Sequence, residues 1–342
     1  MQTIQQTLRF LFHTNFPKKG NVEVSACTIE SDRGEFKAKF YHKKACLEQL
    51  IVLINGFGIE GSNDQRIANL AYALAQAGYR VLCPSFDSLN TLSIHPQTIL
   101  DMQDAFLGIT EDQSKCPEGK FSLFVPSYTA GMALIAINRQ DIQEKIKSIV
   151  CVGSYANIES SINFVLGQND IDDYGRNILF KNFYPDVFGT DNQLDQIVQS
   201  ALEDNGYKRS EKEKALPKVL AEASPADRLI WDIYQRDISW RKDFMRRALE
   251  NNPRYKEWFK YLNVVDNLEH IQCPVSLIHG ANDLVIPSSE SAFIYRKIFE
   301  RNKQVQFLAT PLLDHGDIQV SSSIINDGIK LFKSFHFFFK HA

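Results

Sequence analysis

The chain reads as an α/β protein, a mostly parallel central sheet with helices on both faces, interrupted by an inserted helical module. Three observations predict this. Short apolar, strand-like runs alternate with helix-like stretches through the first 155 residues. That rhythm stops over 156–270, where helix-like pieces occur without a convincing strand, and it resumes from 273 onward. Runs such as LIVLING (50–56) are apolar throughout, as strands covered on both faces must be.

Taken in order, VEVSACTIE (22–30) and EFKAKFYH (35–42) form an opening strand pair around the turn SDRG. LIVLING leads into NDQRIANLAYALAQAGY, where Asn63 or Asp64 can cap a helix, Ile67, Leu70, Ala71, Leu74 and Ala75 share one face, and Gly78 ends it. RVLCPSF is a strand, PQTILDMQDAFLGI a helix, KFSLFVPS a strand, YTAGMALIAI a helix and IKSIVCVGSY a strand. Within 156–270, DNQLDQIVQSALED and PADRLIWDIYQRDISWRKDFMRRALE are helix-like, and KRSEKEK (208–214) is a solvated helix face or loop. After it come the strand CPVSLIHG (273–280), the helix SESAFIYRKIFERN, the strand VQFLATP (305–311) and a final helix from about 321. The phenylalanine-rich end LFKSFHFFFKHA is read as part of that helix packing on the sheet.

Composition narrows the function classes. With 38 Lys and Arg against 41 Asp and Glu the formal charge is −3, so the overall balance recruits neither nucleic acid nor an anionic membrane. The opening MQTIQQTLRFLFHTNF lacks the basic start and apolar run of a signal peptide, and no segment reaches the 18 or so apolar residues of a membrane span; a cytoplasmic location is the expectation. The six cysteines, Cys27, Cys46, Cys83, Cys116, Cys151 and Cys273, form no C-x-x-C pair and read as buried free thiols. The eight histidines show no ligand spacing such as H-x-x-x-H, so no metal site is expected.

Parallel sheets gather functional groups at the carboxyl ends of their strands. Ser127 lies at such an end, where FSLFVPS runs into YTAGMALIAI. A serine hydroxyl becomes a useful nucleophile only when a base takes its proton and a third group orients that base. Asp283, after the strand ending in IHG, and His315, after the last strand, supply those residue types. Singly, each has a plainer reading: a helix cap, a turn residue and a loop histidine. Together, each following its own strand, they form an ordered Ser, Asp, His set.

On these residues the chain resembles the α/β-hydrolase superfamily over 22–342. NGFG (55–58) is similar to its H-G-x-G oxyanion loop, VPSYTAG (125–131) to its G-x-S-x-G nucleophile elbow, HGANDLVIP (279–287) to the segment carrying the acid, and DHGD (314–317) to the segment carrying the histidine. The resemblance implies the α/β-hydrolase fold, with a core over 1–155 and 271–342 and a helical cap over 156–270. It implies Ser127 as nucleophile, His315 as base and then acid, Asp283 as the orienting carboxylate, and the backbone N–H groups of Phe57 and Tyr128 as oxyanion donors. Asn55 stands where the family usually has histidine, and Val125 and Thr129 where the elbow usually has glycine. His279, inside a strand, reads as structural, and Asp314 and Asp317 are too close in sequence to reach the ring of His315.

The implied activity is hydrolysis of a small-molecule carboxylic ester or thioester through an acyl-enzyme, without a cofactor. Trp231, Trp240 and Trp258 suggest either an apolar acyl-chain site or the cap's own core. Two alternatives use the same residues: acyl transfer to an alcohol or amine, and a non-catalytic ligand-binding or scaffolding protein on the same fold.

Overall fold

The computed structural model describes residues 2–17, 19–190, 192–206, 208–313 and 324–342. Eight strands form one sheet: β1 (Glu23–Ser31), β2 (Gly34–His42), β3 (Leu50–Leu53), β4 (Arg80–Pro84), β5 (Phe121–Pro126), β6 (Ile146–Val152), β7 (Val275–Gly280) and β8 (Val305–Thr310). Their order is β1-β2-β4-β3-β5-β6-β7-β8. The β1–β2 hairpin and the β2–β4 pair are antiparallel, and every other pairing is parallel. From β3 the chain crosses to β4 on one side and then to β5 on the other. That reversal opens a crevice at the carboxyl ends of β3 and β5, where ligands of open α/β sheets bind.

Period-two alternation sorts the two faces. Ile51, Leu53, Val81, Phe124, Val150 and Ile278 pack toward the helices Gln65–Ala77 and Ile324–His341 through Leu74, Phe335 and Phe338. Their neighbours Leu50, Val52, Leu82, Leu123, Val125 and Leu277 face the other way, toward Gln97–Glu111, Tyr128–Ile137 and Ser288–Phe299. Between β6 and β7 lie seven α-helices among the described residues, from Ile158–Leu166 to Arg254–Leu262, and no strand. Their buried side chains, among them Phe180, Phe183, Tyr234, Phe244 and Phe259, belong to the same apolar cluster as Val125 and Ile149 of the sheet.

Several boundaries differ from the sequence reading. A helix at Gln2–Asn15 precedes β1 and docks Phe10 against Phe124, Phe335 and Phe339. The stretch 225–250 is two helices, because Asp237 takes an extended conformation and caps the second through the N–H of Trp240. IKSIVCVGSY stops being strand at Val152, where Gly153 turns to φ +73°. Asp64, not Asn63, caps the helix after β3, and Gly78 ends that helix at φ 110°. All six cysteines are free thiols, but Cys27 and Cys46 are only half-buried. The segment 208–214 is an exposed loop. No helix among the described residues is long and apolar enough to cross a membrane.

Candidate active site

Ser127 follows β5 directly and precedes the helix Tyr128–Ile137, with φ 62° and ψ −150°. Only one other described non-glycine residue, Leu92, has a positive φ. A side chain in that region costs about 1–3 kcal/mol and persists only where its surroundings over-determine it. Here they do. The Ser127 N–H donates to the carbonyl of Val152 at 2.6 Å, tying the turn to the end of β6. Although Ser127 stands at the helix N-cap, its side chain makes no capping hydrogen bond. Ser127 therefore does not serve that helix as a side-chain cap.

Val125 and Thr129, where glycines were expected, are both fully buried. Room beside the sharp turn comes from a glycine of the neighbouring strand end. A Cβ placed on Gly56, after β3, would stand 3.3 Å from the Ser127 Cβ. One placed on Gly153, after β6, would stand 4.0 Å from the Ser127 Cα and 3.7 Å from Asp283 Oδ2. Ser127 and Asp283 thus converge on the same glycine. Gly153 escaped the sequence reading; its only signal was a glycine closing an apolar strand.

Asp283 is buried in the turn after β7, and its Oδ1 accepts the N–H groups of Val285 at 2.8 Å and Ile286 at 2.9 Å. Those two bonds fix the carboxylate's plane, since an Asx turn leaves it little rotation. Oδ2 lies 3.5 Å from Nε2 of His279. His279 is fully buried, with Nδ1 2.7 Å from Ser291 Oγ and Nε2 2.8 Å from the Ile286 carbonyl. Nε2 thus holds the acid's loop, and Nδ1 ties the ring to the helix Ser288–Phe299. Gly280 brings the chain after β8 alongside, because its Cβ would meet the Leu313 carbonyl oxygen at 2.6 Å and Asp283 Cβ at 3.6 Å. His315, Asp314 and Asp317 lie outside the described residues.

Neither the Phe57 nor the Tyr128 backbone N–H has a hydrogen-bond acceptor among the described residues. Tyr128 is the first residue of its helix, so its N–H is one of the donors a helix leaves unpaired. Asn55 is buried and braces the loop by donating from Nδ2 to the Gly56 carbonyl at 2.8 Å. The Tyr128 ring stacks on Tyr155 with centroids 4.3 Å apart, and the Tyr155 hydroxyl donates to the Leu262 carbonyl at 2.8 Å. Burial, with Tyr155 and Glu290 adding to it, pushes the Tyr128 phenol well above its ordinary range, so it stays protonated. Gly131 makes that stack possible: any Cβ there would stand 2.4 Å from the Tyr155 ring.

Glu290 also went unnoticed in the sequence, where it is one acid in the first turn of a helix. Buried, its carboxylate accepts the N–H groups of Ala156 and Asn157, each at 2.8 Å, and the Ser160 hydroxyl. It anchors the start of the helical insertion beside the carboxyl end of β6. The helix Asp173–Phe188 reaches the same edge. The Tyr174 hydroxyl lies 3.5 Å from the Phe57 carbonyl, and a Cβ on Gly175 would stand 3.2 Å from Val285. Two of the tryptophans belong to the insertion's own core, Trp240 stacking with Phe188 and Phe244 and Trp231 packing on Phe180, whereas Trp258 packs edge-on against His95, outside the insertion.

Residues 217–342 match the sequence profile of the prolyl oligopeptidase family. No curated protein matches the chain in sequence. Among solved structures, an esterase of Pyrococcus furiosus is similar at 13% identity, covering 93% of this chain and 92% of its own, with a TM-score of 0.51. The acylaminoacyl peptidase of Pyrococcus horikoshii is similar at 14% identity over 95% of this chain but 42% of its own, with a TM-score of 0.52. A thermostable esterase of Pseudomonas putida is similar at 11% identity, covering 97% and 88%, with a TM-score of 0.53. The strand order, the strained residue after β5 and these shared architectures lead to one conclusion: the chain has the α/β-hydrolase fold.

Proposed function

We propose that the protein is a serine hydrolase of carboxylic esters or thioesters, with Ser127 as nucleophile, His315 as base and then acid, and Asp283 orienting the imidazole. The Ser127 oxygen attacks the acyl carbon while its proton passes to His315, and the alcohol or thiol leaves with that proton. Water then attacks the acyl-enzyme with His315 again as base, returning free Ser127 and a carboxylic acid. The N–H groups of Phe57 and Tyr128 receive the oxyanion of both tetrahedral intermediates; they are fixed beforehand and need no reorganisation. Residues 156–270 act in this reading as a cap on a core formed by 1–155 and 271–342. Phe57, Tyr174 and Val285, half-buried beside the turn, are the apolar side chains that would meet the acyl group.

The observation that carries this reading is the positive φ of Ser127 between β5 and its helix, with Gly56 close beside it. Labelling with a fluorophosphonate probe and mapping the peptide tests it without knowledge of the substrate. Adduct at Ser127, lost in Ser127→Ala, is expected; adduct elsewhere, or none on folded protein, refutes it.

A second reading, cleavage of an acyl-amide or peptide bond by the same residues, draws support from the prolyl oligopeptidase match, whose span of 217–342 includes Asp283 and His315. Matched p-nitrophenyl esters and p-nitroanilides of one acyl group separate the two. Comparable kcat/KM on ester and anilide favours the peptidase reading, and a preference for the ester by several orders of magnitude favours the esterase.

A further inference from the structure

Four large apolar side chains stand in solvent along the first helix and its continuation: Ile4, Leu8, Phe12 and Phe16, at 46%, 55%, 55% and 60% exposure. Their spacing of four residues places them on one face of the helix Gln2–Asn15, which the bond from the Phe16 N–H to the Phe12 carbonyl extends. The opposite face, with Gln6, Thr7 and Phe10, is buried against the final helix Ile324–His341. No other element among the described residues leaves more than two large apolar side chains so exposed. Scattered exposed leucines need no explanation, but a contiguous stripe of this kind does.

The charge around the stripe is as uneven. Residues 1–22 contain Arg9, Lys18 and Lys19 and no Asp or Glu. The final helix adds Lys330, Lys333 and Lys340 against Asp327 alone. Residues 1–22 and the final helix together carry five net positive charges in a chain whose total is −3, so the remainder is acidic. Arg9, Lys19, Lys333 and Lys340 are exposed, as is Ile329 on the final helix. The overall charge conceals this local asymmetry.

We propose that this face docks the protein on the surface of an anionic lipid bilayer, with Ile4, Leu8, Phe12 and Phe16 entering the headgroup–acyl boundary and the surrounding cations facing lipid phosphates and carboxylates. An exposed aliphatic and aromatic face bordered by Lys and Arg, on a helix lying in the surface, is what interfacial binding requires. A second copy of the chain fits less well, because a two-fold contact through this patch would set its cations against themselves. The proposal is independent of the chemistry at Ser127.

Co-sedimentation with vesicles of phosphatidylcholine, alone or with about one third phosphatidylserine, tests it. The protein should pellet with the anionic vesicles and bind roughly tenfold more weakly in high salt. The double variant Leu8→Ser/Phe12→Ser should lose at least about tenfold in partition while keeping its melting temperature, since both side chains are exposed. Lys333→Glu/Lys340→Glu should weaken binding to anionic vesicles only. Wild-type protein that stays in the supernatant, or variants that bind as well as wild type, would overturn the proposal. So would a dimer in solution that Leu8→Ser/Phe12→Ser converts to monomers, which would assign the stripe to a second copy.

Discussion

Adding one methyl group at Gly56 should slow the proposed chemistry, while the same change two residues on should not. The Cβ of Gly56→Ala would stand 3.3 Å from Ser127 Cβ, 3.8 Å from the Pro126 carbonyl and 3.9 Å from Ser127 Oγ. Ser127 cannot yield freely, because its N–H is held by the Val152 carbonyl at 2.6 Å. Either Ser127 or the loop bearing Phe57 must move by a few tenths of an ångström. Overpacking of this size costs about 1 kcal/mol, a fall in melting temperature of roughly 2 °C in a chain this long. Misplacement by a full ångström can cost about a hundredfold in rate, so a partial shift should cost roughly tenfold. In Gly58→Ala the new Cβ meets nothing closer than 3.9 Å, and the rate should stay within about twofold of wild type. The second-order rate of fluorophosphonate labelling and the hydrolysis of p-nitrophenyl acetate measure both. Equal effects of the two substitutions, or an undiminished labelling rate in Gly56→Ala, would show that close packing against Gly56 does not position Ser127.

Asp283→Asn keeps an oxygen for the N–H groups of Val285 and Ile286 but cannot orient an imidazolium, so kcat on an activated ester should fall by about three orders of magnitude or more with little change in melting temperature. Tyr174→Ala should raise KM severalfold for p-nitrophenyl esters of medium chain length and leave kcat on the acetate close to wild type; an unchanged KM across the series would remove Tyr174 from the acyl site. Arg241 is fully buried and gives its guanidinium N–H groups to the carbonyls of Leu166, Gln168, Tyr234 and Gln235 and to Asn169 Oδ1. Arg241→Leu strands those acceptors and should destabilise the protein by about 3 kcal/mol or more, read as a lower midpoint of the denaturant transition. His95 accepts the Gln97 N–H on Nδ1, and burial against Trp258 lowers its pKa despite the opposing pull of Asp101. The unfolded chain therefore takes up the proton first as pH falls. Stability from this contact is complete above the ordinary histidine pKa of about 6.5 and declines below it, and His95→Asn should flatten the melting profile between about pH 6.5 and 5.

The sheet was legible because its strands are apolar throughout and its helices carry their stop signals, such as Gly78. Less legible was everything set by contact between distant segments. The two residues that stand where the elbow usually has glycine, Val125 and Thr129, argued against a sharp turn, yet space beside it is supplied by Gly56 from the neighbouring strand end, which no local pattern connects to Ser127. Glu290 is indistinguishable in sequence from any first-turn acid; its role follows from Ala156 and Asn157 arriving beside it from far away in the chain. The helix Gln2–Asn15 was missed because its buried face is narrow and its outward face is apolar, the reverse of the usual surface pattern. The tryptophans were ambiguous for a similar reason: aromatic content tells how much apolar area exists, not which way it faces.

The side chains beneath the insertion's helices merge with those of the sheet into one continuous buried cluster. Lifting the whole layer off the strands would break that cluster along its full width, an opening comparable in cost to melting a large part of the protein. Heat and denaturant should then see one cooperative unit, with a single calorimetric transition, and the sheet expressed without residues 156–270 should not hold a fixed tertiary structure. Ligand traffic to the strand ends would have to use side-chain and loop movements at the rim, which occur in nanoseconds to microseconds, and not the slower hinge of a detachable lid.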